Sequence, residues 1–183
     1  VLLTIYRELY YYISSGSALL DYLYNLMPSE DELTYTQGLN AALLAGAFAD
    51  WLSMSEEEKN TLILCGFYYD IGKQQLPYEL LWKPGKLTDE EYATMKSHVE
   101  IGAAILKNFT WIDHVADGAL YHHERYDGKG YVHHLKGTEI PLNARIIGIV
   151  DAFDAMTANR VYRKKMDLPF VLEELKKGKG TQF

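Results

Sequence analysis

The chain has 183 residues, 48% of them hydrophobic, which suits one domain with a real core and does not require a second. A net charge of -7 argues against a general nucleic-acid coat, because binding along a phosphate backbone draws on clustered Lys and Arg. With a single cysteine, Cys65, no internal disulfide can form, so a reducing compartment and a cytoplasmic location are expected. No apolar run approaches the roughly 20 residues of a membrane span, so none is expected in this fragment.

In chain order, residues 1–29 read as an N-terminal helical segment rich in Tyr and Leu. The stripe Leu19, Leu20, Leu23 and Leu26 suits packing on the domain or on a missing neighbour. Pro28 and the acidic run Glu30 to Glu32 mark the boundary of a second unit, residues 30–183, expected to be cut short at its C-terminus. A helix is predicted from about Gly38 to Leu52. Ser55 with Glu58, and Thr88 with Glu91, each match the capping box, in which hydroxyl and acid satisfy the free amides of a helix start. The first opens a helix through Leu62, Cys65, Gly66 and Tyr69; the second opens one running on through Met95, His98, Gly102 and Ile105. Further helices are predicted at Trp111 to Tyr121, Leu142 to Met156 and Leu168 to Lys177. Alternating strand patterns are scarce, and the fold class is all-α, a helical bundle with short loops.

The chemistry concentrates in the second half. Asp70 follows an apolar helix and precedes Ile-Gly-Lys, a small-residue turn able to present a carboxylate and the Lys73 ammonium to an anionic ligand. His98 lies on the inner face of its helix, where an imidazole needs a partner. His122 and His123 are neighbours that point about 100° apart on a helix, so they cannot act identically. Asp151 emerges from the apolar run Ile146 to Val150, where burial is costly without a cation or donors. Asp70, His98, His122 and Asp151 are expected to converge on one metal-type site. Lys73, Lys129, Arg160, Arg163, Lys164 and Lys165 are candidates for a basic lining, or equally for ordinary solvated surface.

The ordered series YYDIGK (68–73), KPGKLTDEE (83–91), MKSHVEIGAAIL (95–106), YHHERYDGKGY (121–131), IPLNARI (140–146) and DAFDAMTANRVYRK (151–164) resembles the HD-GYP domains, metal-dependent phosphodiesterases that hydrolyse cyclic di-GMP. The similarity runs from about Thr36 to Phe183. It implies an HD-type helical bundle holding two, sometimes three, metal ions. Asp70 then stands at the bridging carboxylate, with His98, His122 and His123 on one side and Asp151 on the other. Asp70 and Lys73 fall at catalytic positions, and Lys73, Tyr131, Arg160 and Arg163 at ligand-binding ones.

Departures from the family pattern narrow this expectation. Tyr69-Asp70 replaces His-Asp, and a phenol with pKa near 10 is a poor substitute for a neutral imidazole. The earlier His of the family aligns with Gln37, and all six histidines lie at or after His98, so no upstream His ligand exists. Leu33 stands where three-metal members carry Glu, and Val132 replaces the Pro of the GYP loop. A rescue role in metal binding for His133 and His134 is disfavoured, because loop histidines usually face solvent. The expectation is a degenerate module with fewer than two divalent ions per chain, iron or manganese. It would bind cyclic di-GMP, a related small anionic nucleotide or a signalling-protein partner, with weak or no hydrolysis. The alternative is an active phosphodiesterase with an atypical metal site. A nucleotide phosphohydrolase of the broader HD superfamily is disfavoured by the Gly130-Tyr131 loop.

Overall fold

The computed structural model describes residues 3–4, 6–7, 33–108, 114–157 and 165–183, with main chain alone for 33–35. Among these residues there are helices and loops and no strands: α1 (Leu33–Trp51), α2 (Glu56–Tyr68), α3 (Tyr78–Leu81), α4 (Asp89–Lys96), α5 (His98–Leu106), α6 (Val115–Tyr121), α7 (Leu142–Thr157) and α8 (Leu168–Lys177), with 3-10 turns at Ile71–Gln75 and Gly137–Glu139. No helix among them is long and apolar enough to cross a membrane.

The centre of the bundle is α1, whose run from Ala41 to Ala47 is wholly buried. Small side chains let its neighbour close in. A Cβ on Gly66 of α2 would lie 2.7 Å from the Ala42 backbone, so only glycine permits this approach. Gly38 serves a similar contact, since a Cβ there would meet the Phe67 carbonyl at 2.9 Å. It therefore lies inside α1, which is described from Leu33, and does not start the helix as expected. Tyr6, from the N-terminal segment, is 2% exposed and fits against Gly46, so this residue of the segment packs on the domain. The expected boundary at 29/30 lies outside the described residues.

Both capping boxes form. The Ser55 and Thr88 hydroxyls accept from the amides of Glu58 and Glu91, whose carboxylates accept from the Ser55 and Thr88 amides. The helix expected to run from Thr88 through Ile105 is instead two, divided at Ser97. The Ser97 amide and hydroxyl both donate to the Thr94 carbonyl, at 3.1 and 2.7 Å, tightening the last turn of α4 and re-aiming the chain. His98 thereby becomes the first residue of α5. The predicted helix from Trp111 is described only from Val115, since 109–113 lie outside the described residues. Helices α7 and α8 match the predicted spans to within a residue.

Candidate metal centre

Three backbone junctions bring the site together. After α2 the chain enters the 3-10 turn Ile71–Gln75, which packs on α5 so tightly that a Cβ on Gly72 would lie 1.9 Å from the His98 carbonyl oxygen. Asp70 is thus held beside His98. Helix α6 ends at Tyr121 and delivers His122 and His123 against α5, and α7 carries Asp151 and Asp154 along the opposite wall.

His98 and His122 are almost fully buried, and each ring is oriented from behind. The His98 Nδ1–H donates to the Met95 carbonyl at 2.7 Å, and the His122 Nδ1–H to the carbonyls of Ala119 and Gly118 at 2.9 and 3.0 Å. With Nδ1 engaged in this way, each ring turns its Nε2 toward Asp70. The two Nε2 atoms lie 3.4 Å apart, and Asp70 Oδ1 lies 3.3 Å from one and 3.7 Å from the other. Asp70 Oδ1 is buried and faces both rings. Two imidazole nitrogens and a carboxylate oxygen in such a triangle are a donor set suited to a divalent cation. Donors around one ion held at ~2.1 Å are spaced by roughly 3 to 3.5 Å, so these residues fit a metal.

The remaining Asp70 oxygen, Oδ2, accepts from the Lys73 ammonium at 2.5 Å. Burial alone would raise this carboxyl, but Lys73 and the two imidazoles outweigh it and hold Asp70 well below the usual carboxylate range. Lys73, expected to offer its charge to an anionic ligand, is thus already paired with Asp70. His123 adds a third ring: His98, His122 and His123 each offer a nitrogen within 4.8 Å of the others. Burial first, then the neighbouring His122 and His98, pushes His123 down to about 2, so it stays a neutral donor. Tyr131 stacks on it with centroids 4.8 Å apart.

Asp151 joins from the other side through Tyr69. The Tyr69 ring stands edge-on to His122 at 5.1 Å, and its hydroxyl donates to Asp151 Oδ1 at 3.4 Å. Burial, together with Asp70, Asp151 and Asp154, raises the Tyr69 phenol well above its ordinary value. One turn along α7, Asp154 is buried and accepts from the Gln37 side-chain amide at 3.1 Å. On this side Asp151 and Asp154 thus each accept from a neutral side chain, Tyr69 and Gln37. The Gln37–Asp154 pair was not foreseen, since 117 residues separate the partners and only the alignment of Gln37 hinted at it.

Over the site lies the loop that follows α6. Glu124 is buried and its two oxygens accept from the amides of His133 and Leu135 at 2.6 and 3.1 Å, fixing the loop and with it Tyr131. His133 and His134 are exposed and lie outside the His98 cluster. His122, His123, Tyr131 and Asp151 line one cleft of about 210 Å³, which extends outward past Lys129 and Arg145. Lys129 from the expected basic lining borders it, whereas Arg160, Arg163 and Lys164 lie outside the described residues, as does the Leu33 side chain.

Comparison with known proteins agrees with this geometry. The family profile described as HD domain matches residues 21–183. The chain is 38% identical over 159 residues to the cyclic di-GMP phosphodiesterase response regulator RpfG of Xanthomonas campestris, covering 82% of this chain and 42% of that protein. It is 36% identical over 166 residues to a cyclic di-GMP phosphodiesterase of Thermotoga maritima, covering 90% and 45%. Against the 3'3'-cGAMP-specific phosphodiesterase 1 of Vibrio cholerae it is 36% identical over 148 residues, covering 81% and 34%. The chain spans less than half the length of each of these relatives. An all-helical bundle, a His-Asp cluster suited to a metal and this breadth of similarity place the chain in the HD domain family, in its HD-GYP branch.

Proposed function

We propose that this chain is a degenerate HD-GYP-type domain of bacterial cyclic di-GMP signalling, which binds cyclic di-GMP or a related small anionic nucleotide and hydrolyses it weakly or not at all. The observation that carries the reading is the pair of hydrogen bonds Tyr69 to Asp151 and Gln37 to Asp154, which occupy one half of the site with protein donors. On the other half, Asp70, His98 and His122, with His123 beside them, hold one divalent ion, iron or manganese. Such an ion supplies Lewis-acid polarisation of a phosphoryl oxygen. Lys73 keeps Asp70 ionised, Tyr131 and His123 form a flat wall for a base or ribose, and Glu124 keeps that wall in place. Arg160 and Arg163 are the remaining candidates for phosphate contacts. A signalling-protein partner in a longer chain and a cytoplasmic location belong to the same reading, with residues 30–183 as the domain and 1–29 as its attachment.

The test is calorimetric titration with cyclic di-GMP, with and without manganese or ferrous iron, followed by chromatography of the products. Binding with little turnover and one ion or fewer per chain is expected; rapid hydrolysis by the metal-loaded protein refutes the reading. A second reading, an active phosphodiesterase with an atypical metal site, is favoured by the phosphodiesterase names of the relatives and by the complete ligand set around His98. A metal content of one or zero per chain that Tyr69→His leaves unchanged counts against it.

A further inference from the structure

The outer part of the cleft holds a cation that the site so far described does not use. Arg145 lies on α7, and Arg145, Gly148 and Asp151 follow one another at steps of three along the wall of the cleft. The rise of a helix puts Arg145 roughly 9 Å along the axis from Asp151. Gly148 between them lets the His122 carbonyl approach, since a Cβ there would lie 2.9 Å from its oxygen, and all three residues line the same cleft.

The other cations nearby are engaged or solvated. Arg125 forks onto Asp127 at 3.1 and 2.9 Å, Lys73 is paired with Asp70, and Lys129 is exposed. The Arg145 guanidinium differs from all of them. Among the described residues its Nε is buried without an acceptor, and the hydrogen bond the residue donates is from its main-chain amide to the Pro141 carbonyl. A buried donor on a permanent charge is costly to leave unpaired. The carboxylates of the same cleft do not supply the acceptor: Glu124 takes the amides of His133 and Leu135, and Asp151 takes the Tyr69 hydroxyl. A ligand in the cleft can supply the acceptor, and a planar fork of donors suits a phosphate, which accepts two parallel N–H bonds.

We propose that Arg145 binds a phosphate group of the ligand, the one lying away from the His98, His122 and Asp70 cluster. The inference rests on the reading of this cleft as a cyclic dinucleotide site and assigns one of its subsites. A ligand with two phosphates then spans the wall, one facing the cluster and the other gripped by Arg145, whereas a mononucleotide reaches only one of the two.

Two probes, cyclic di-GMP and inorganic pyrophosphate, are titrated calorimetrically into wild type, Arg145→Gln and Arg145→Lys, at low and at moderate salt, with a thermal melt of each protein. Arg145→Gln should weaken binding by about tenfold or more and flatten its salt dependence, with Arg145→Lys in between because it keeps the charge and loses the fork. Cyclic di-GMP binding that is equal in all three proteins overturns the assignment and leaves the functional reading standing. Pyrophosphate binding that depends on Arg145, with no cyclic di-GMP binding, does the reverse. Wild type that binds neither probe overturns both. Loss of the fold in both variants shows a packing role for Arg145 and overturns the assignment as well.

Discussion

Replacing Gly72 by Ala tests how the centre is held together. The added methyl would lie 1.9 Å from the His98 carbonyl oxygen and 2.6 Å from the Gly102 amide nitrogen, both backbone atoms that cannot rotate away. Ordinary contact needs ~3.5 Å, so the 3-10 turn and α5 must part by roughly 1.5 Å. Overpacking of this kind costs ~1–3 kcal/mol, and the smaller entropy of an unfolded Ala chain returns only ~0.4–1. A net loss of roughly 1–2 kcal/mol is expected. The more specific effect falls on the metal, since Asp70 rides on the turn and His98 on α5, and ligand sets tolerate only ~0.5 Å of misplacement. Manganese affinity should drop by about tenfold or more. The assays are urea unfolding and a manganese titration of the folded variant. Gly85→Ala is the control, because Gly85 has φ +99 with nothing within 4 Å, so it loses stability through backbone strain and leaves the metal untouched. Wild-type stability and manganese affinity in Gly72→Ala would refute the packing argument.

Glu124→Ala should cost ~2–3 kcal/mol by leaving the His133 and Leu135 amides without their acceptors, and hydrogen exchange should show those two amides opening first. His123 remains neutral in the folded metal-free protein down to about 2, while the unfolded chain takes up its proton near pH 6.5. The unfolded state therefore binds more protons below pH 6.5, and stability falls as the pH is lowered, by at most about 1.4 kcal/mol per unit from this residue. Urea melts at pH 7, 6 and 5 should show a shallower decline in His123→Gln; an identical decline would sink this assignment. Cys65 is fully buried and its thiol is pushed up to about 12 by burial, so a thiol reagent at pH 8 should label it only in denaturant.

Much of the bundle was legible because its punctuation is local. The Ser55 and Thr88 boxes act over four residues, and the apolar periods of α7 and α8 follow from single-helix geometry. The motifs around Asp70, His98 and His122 also marked residues that the fold brings within a few ångströms. What the sequence hid depends on contacts between helices. Ser97 breaks a continuous helical pattern through hydrogen bonds that a periodicity cannot register. Gly38 looked like a helix start because close approach and chain termination favour the same residue. In the sequence Lys73 reads as a charge offered with Asp70 to an anionic ligand, because the pairing of the two depends on the turn between them. Arg145 appeared only as part of a motif, since its lack of a partner is a property of the whole cleft.

The hydrogen bonds from Gln37 and Tyr69 also change what keeps the molecule closed. They fasten α1 and the end of α2 to α7 through groups of the chain itself. In a centre where cations bridge these helices, a chelator would loosen the bundle on both sides. On the proposed one-ion reading the α1 and α7 side is closed by these hydrogen bonds, so stripping metal should relax only the contacts around α5 and α6. Sensitivity to chelators and sensitivity to heat then report on different halves of one domain.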